Sequence, residues 1–103
     1  MNQFNEMEAA KAKVLRGDII EKLYTYYGND IKIAVLKSAL RANGFVDDAE
    51  IRKAIYYLGG EGKRFIHVEV NKDKWMDSLI WLTPAGVNLA EGDIDDMGVE
   101  IDE

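Results

Sequence analysis

The sequence predicts an α+β domain ordered helix, short strand, helix, helix, hairpin, helix. Three observations carry that prediction. Residues 47–58 hold a helix start in which two capping devices coincide, followed by the stop Gly59-Gly60-x-Gly62. Residues 65–70 and 76–83 are two strand-like apolar runs around the polar tip Asn71-Lys72-Asp73-Lys74. Thr83-Pro84 opens a last helix: the threonine caps it, and the proline sits at N1, where a missing N–H costs nothing.

The first helix is expected over residues 5–27, with Val14, Leu15, Ile19, Ile20, Leu23 and Tyr27 recurring at helical spacing. Gly17 interrupts it at a cost of about 1 kcal/mol relative to alanine. Residues 6–13 are rich in alanine and charge, with little to bury, so that part either frays or packs on another chain. Ile31-Lys32-Ile33 alternates as a short edge strand does. A second helix is expected over residues 34–42, burying Val35, Leu36, Ala39 and Leu40 and stopping at Asn43-Gly44. In the third helix Asp47 is the N-cap, Glu50 is placed to bond back to the cap amide, and Val46 with Ile51 forms a hydrophobic staple. Ile51, Ala54, Ile55 and Leu58 face inward, leaving Ala49, Arg52, Lys53 and Tyr56 outside. Ile66, Val68 and Val70 share one strand face opposite Ile80 and Leu82. The last helix ends near Gly92.

At 103 residues, 48% of them hydrophobic, the chain makes one domain. It divides into residues 1–14, a frayed or dimerising helix start; residues 15–92, the domain proper; and residues 93–103, an acidic extension. The absence of cysteine excludes disulfides and thiolate chemistry. With no signal-like start and no apolar run near the roughly 20 residues a bilayer requires, a cytoplasmic protein is expected. The net charge of −6 is uneven: residues 91–103 hold seven acids and no base, and residues 1–90 carry 13 bases against 12 acids. Such a body neither excludes nucleic acid nor shows a strongly basic footprint.

The spacing Ile51-x-x-Ala54-Ile55-x-x-Leu58-x-x-x-Gly62, followed by a hairpin and Leu82-Thr83-Pro84-Ala85-Gly86, resembles bacterial winged-helix (winged helix-turn-helix) proteins of the broad MarR and PadR type. The ending, residues 82–92, looks more like small winged-helix proteins encoded in prophages. The resemblance covers residues 15–90. It implies transcription regulation by a dimer on double-stranded DNA, with the third helix in the major groove and the hairpin as a wing beside it.

In that arrangement Arg52 is the base reader, because guanidinium pairs bidentately with guanine, and Lys53 and Tyr56 contact bases or backbone. Lys37 and Arg41 position phosphates. Lys72 and Lys74 straddle the adjacent backbone at the wing, where Trp75 adds a contact surface. All of these also read as ordinary solvated surface. The acids Asp47, Asp48 and Glu50 at the start of the third helix oppose phosphate, which supports the alternative of a protein-interaction module without DNA binding. Capping accounts for Asp47 and Glu50, whereas Asp48 stays unexplained. A third reading folds the acidic tail over the basic face as a nucleic-acid mimic. His67, the only histidine, reads as a sheet-face residue and Trp81 as packing. Asp93, Asp95 and Asp96 lack the spacing of a calcium loop, and the glycines at 59–62 follow a helix instead of a strand. No cofactor, metal or enzymatic activity is expected.

Overall fold

The computed structural model describes residues 3–101, and side chains from residue 6 onward. Its architecture is α+β: four α-helices pack around a three-stranded antiparallel sheet. In chain order the elements are α1 (Gln3–Thr25), β1 (Ile31–Lys32), α2 (Ile33–Ala42), α3 (Asp48–Gly59), β2 (Ile66–Glu69), a 3-10 turn at Trp75–Asp77, β3 (Leu79–Leu82) and α4 (Pro84–Ala90). β3 is central, pairing Ile80 with both Ile31 of β1 and Val68 of β2.

The core takes one stripe from each helix: Leu15, Ile19, Ile20 and Leu23 from α1; Ile33, Leu36 and Leu40 from α2; Ile51, Ala54, Ile55 and Leu58 from α3; Leu89 from α4. The sheet adds Ile66, Ile80 and Leu82 on its inner face. On the outer face, His67 and Trp81 oppose one another across the β2–β3 register, their rings 4.6 Å apart.

Several expectations require correction. Val14 and Val35 are exposed at the edges of their helices' apolar stripes, and Tyr27 is exposed in the turn beyond α1, which ends at Thr25 and not at residue 27. Ile33 begins α2 instead of ending β1, and Ala39 is half-buried. The hairpin strands are shorter than their apolar runs: Val70 is exposed beyond β2, and Met76 lies in the 3-10 turn. Ser78 closes this segment from inside. It is fully buried, its Oγ accepts from Asn71 N at 2.8 Å, and its carbonyl accepts from Ile33 N at 2.9 Å.

The cap of α3 forms as expected: the Asp47 carboxylate accepts from the amides of Ala49 (2.9 Å) and Glu50 (3.1 Å). Val46, however, is exposed, and the Glu50 carboxylate pairs with Lys53 at 3.5 Å. At α4 the Thr83 hydroxyl accepts from Gly86 N and donates to the Arg64 carbonyl. Gly86 is required there, since an added Cβ would lie 2.1 Å from the Phe65 carbonyl oxygen.

Residues 93–101 form neither a strand nor a mimic laid along α3's exposed face. They make a strap against α1. Val99 is 8% exposed within the core, Ile101 packs beside it, and Glu100 N donates to the Lys13 carbonyl at 3.1 Å. The strap crosses α1 at Gly17, where a Cβ would stand 1.6 Å from the Glu100 carbonyl oxygen. Gly17 therefore does not break the helix, which runs through it; it admits another backbone. Residues 1–2 of the expected N-terminal segment and residues 102–103 of the extension lie outside the described residues.

Candidate nucleic-acid interface

The apolar stripe of α3 turns its opposite side to solvent, and Arg52, Lys53 and Tyr56 stand there. Tyr56 is 85% exposed. Arg52 reaches across to the hairpin, where its guanidinium carbon sits 4.5 Å from the centre of the Trp75 ring. Trp75 is half-buried, held by the 3-10 turn and packed against the core. It is thus an anchor under Arg52 more than a free indole, and this stack joins the exposed face of α3 to the hairpin. Such a cation–π contact contributes about 0.5–1 kcal/mol at exposed sites.

The hairpin tip has an internal brace. The Asn71 side-chain carbonyl accepts from the amides of Asp73 and Lys74, both at 3.0 Å, closing a turn that carries Lys72 and Lys74 in solvent. This is an Asx turn, in which a side chain imitates a backbone carbonyl. On α2, Arg41 is exposed near the C-terminus, whereas Lys37 is 13% exposed and its ammonium pairs with Asp48. That pair binds α2 to the first turn of α3, and it explains Asp48.

Each acid at the start of α3 has its own cation or amide. Asp47 takes two backbone N–H groups, Asp48 takes Lys37, and Glu50 faces Lys53. Of the eight sequence-derived residues, Arg52 and Trp75 are brought together directly, and Tyr56 shares the exposed face of α3 with Arg52 and Lys53. Lys37 and Lys53 are engaged with acids. Arg41, Lys72 and Lys74 form no ion pair among the described residues.

A second polar cluster escaped the sequence reading. The Asp96 carboxylate, 7% exposed, accepts from Lys63 Nζ (2.7 Å), the Tyr57 hydroxyl (2.9 Å) and Gly98 N (2.8 Å). Two cations approach the Tyr57 ring, the Arg16 guanidinium 4.0 Å from its centre and the Lys63 ammonium at 5.2 Å. Arg16 Nη1 also donates to the Gly98 carbonyl at 3.0 Å. Burial pushes the Asp96 pKa up, but the hydrogen bonds from Lys63, Gly98 N–H and Tyr57 prevail and hold it below the usual carboxylate value. The Asp96 bond, with help from Tyr57, raises the Lys63 pKa. Among the described residues, the tail's hydrogen bonds and ion pairs to other segments go to this cluster, to α1 and to the Asn88 carbonyl of α4, and none goes to the eight candidate residues. The signal was faint because the partners lie 33 to 82 residues apart in the chain.

Among the described residues no group of three or more His, Asp or Glu side chains is arranged to hold a metal ion. None of the described helices is long and apolar enough to cross a membrane. No family model, no curated protein and no solved structure matches this chain.

Proposed function

We propose that the chain is a winged-helix DNA-binding protein whose third helix, α3, enters the major groove while the hairpin lies on the neighbouring backbone. The observation that carries this reading is the Arg52–Trp75 stack, which makes the exposed face of α3 and the hairpin one continuous surface. Arg52 and Tyr56 read bases on that surface. Arg41, Lys72 and Lys74, which form no ion pair among the described residues, hold phosphates. The engaged carboxylates of Asp47, Asp48 and Glu50 put little unpaired negative charge at the approach.

Binding of labelled duplex pools across a salt series tests the reading. Three phosphate contacts predict a slope of log K against log salt of about −2.7. Arg52→Ala is expected to lose about 1–3 kcal/mol and to relax selectivity at one base position. Lys72→Ala should weaken binding evenly across sequences and flatten the slope by about one unit. Absence of binding at low salt from a folded protein overturns the proposal.

One observation favours a second reading, a protein-interaction module. Lys37 and Lys53 are already neutralised by Asp48 and Glu50, and the large side chain left free on α3 is the 85% exposed Tyr56. A tyrosine of that exposure suits a protein interface as well as a groove.

A further inference from the structure

The turn between α2 and α3 holds the only Asn-Gly step in the chain, Asn43-Gly44. Glycine hinders attack on a preceding asparagine less than any other residue, because no side chain stands beside its nitrogen. Asn43 is exposed, so water reaches it. Its amide is nevertheless engaged: Nδ2 donates to both carboxylate oxygens of Asp18, each at 3.0 Å. Asp18 is a buried acid of α1 that also pairs with Lys22 at 3.2 Å. An ionised carboxylate only accepts hydrogen bonds, so Asp18 receives an amide at this position and repels a second carboxylate.

The backbone is held as well. Gly44 N donates to the Arg41 carbonyl at 3.0 Å, and Asn43, the C-cap of α2, has a ψ of 12°. At that angle the Gly44 nitrogen is nearly eclipsed with the Asn43 nitrogen, whereas ring closure onto the side chain requires it nearly eclipsed with Cβ. We propose that Asn43 is a deamidation site, locked in the folded protein by Asp18 and by the end of α2, and released when the α2–α3 turn opens. The co-reactant is water. The Gly44 nitrogen, its proton lost to solvent, bonds to Asn43 Cγ. The Cγ–Nδ2 bond breaks, and ammonia leaves with a proton taken up in exchange. Water then opens the cyclic imide at either carbonyl, giving an aspartyl or isoaspartyl residue. A neutral amide has become a carboxylate.

That product does not fit the contact it came from. A carboxylate at position 43 would meet Asp18 as a like charge at hydrogen-bond distance, in a recess also lined by Glu21 and Glu100. The modified turn therefore relocks poorly. Deamidation accumulates in molecules whose turn has opened, and in them it loosens the join between α1 and the end of α2. None of this rests on DNA binding.

Peptide mapping by mass spectrometry on the full chain, incubated at neutral pH with and without urea, tests the proposal. Asn43 in the folded protein is expected to convert slower than in urea by about tenfold or more, the factor set by an opening cost of about 1.4 kcal/mol. Asp18→Asn keeps the volume and loosens the hold on the amide. It should convert faster than the wild type when folded and at the wild-type rate in urea. Leu89→Ala, destabilised from α4, controls for stability alone: at urea concentrations giving both variants the same unfolded fraction, it should convert more slowly than Asp18→Asn. Asn43→Asp should have a lower urea midpoint than the wild type, and adding Asp18→Asn to it should restore part of the loss by removing the like-charge pair. Equal conversion in folded and unfolded protein, no acceleration by Asp18→Asn beyond the control, a wild-type midpoint in Asn43→Asp, or a double variant no more stable than Asn43→Asp would each overturn the proposal.

Discussion

The Asp96 carboxylate gathers an ammonium, a phenol and a backbone amide around one nearly dry group, and so it holds the strap to α3 and to the turn after it. Hydrogen bonds to a charged group contribute about 1.5–3 kcal/mol each in favourable cases, less the cost of desolvation. Asp96→Asn keeps the volume and removes the charge, and is expected to destabilise the protein by about 1–3 kcal/mol at neutral pH. Because the folded pKa of Asp96 lies below its unfolded value of about 3.9, its contribution is fully present above that value and is lost as pH falls through the folded pKa. For Lys63 the folded pKa is raised, so its share is present below the unfolded value of about 10.4 and is lost as pH rises through the folded one. Urea midpoints measured from pH 7 down to pH 2 should fall more steeply in the wild type than in Asp96→Asn; parallel curves would remove Asp96 from this role. At the same scale, the Asp47 cap was legible because capping is local, involving residues two and three positions apart. The Lys37–Asp48 pair was not, because which cation meets an acid in a neighbouring helix depends on how the two helices cross.

Among the elements, α1 shows how a local rule is overridden by packing. Glycine in a helix interior costs about 1 kcal/mol relative to alanine, and by propensity alone Gly17→Ala should stabilise. Here the added methyl would fall 1.6 Å from a backbone oxygen of the strap, which cannot rotate aside as a side chain does. The expected outcome is a helix that is intact and a strap that is displaced. Hydrogen exchange should report this as faster exchange at the Glu100 amide with α1 protection unchanged; retained Glu100 protection would count against the crossing. The inward stripes of α1, α2 and α3 were legible from helical periodicity, apart from residues at the stripe edges such as Val14 and Val35. The strands were legible as a hairpin but not in extent. Alternation continues past the last ladder bond, and the turn at Trp75–Asp77 is held by the buried Ser78 and its long-range partners.

Across the whole molecule, the strap makes the acidic extension part of the core. Truncation after Gly92 would raise the net charge from −6 to zero and would also expose the site that Val99 and Ile101 cover. Burial of such side chains is worth about 1.5–3 kcal/mol each when complete. With one nearly complete and one partial, a loss of roughly 2–4 kcal/mol is expected, lowering the Tm by about 4–8 °C per kcal/mol for a domain of this size. A truncated chain that melts with the full-length protein would show that the strap is not structural. The sequence alone determined the element order, the α+β class, the Asp47 and Thr83 caps and most of the core, because those follow from spacings of two to four residues and from side-chain polarity. The tertiary structure decided the placement of the tail, the use of Gly17, the engagement of Asp48 and the meeting of Arg52 with Trp75. Each of these joins segments far apart in the chain, where packing geometry selects the partner and local pattern carries no record of it.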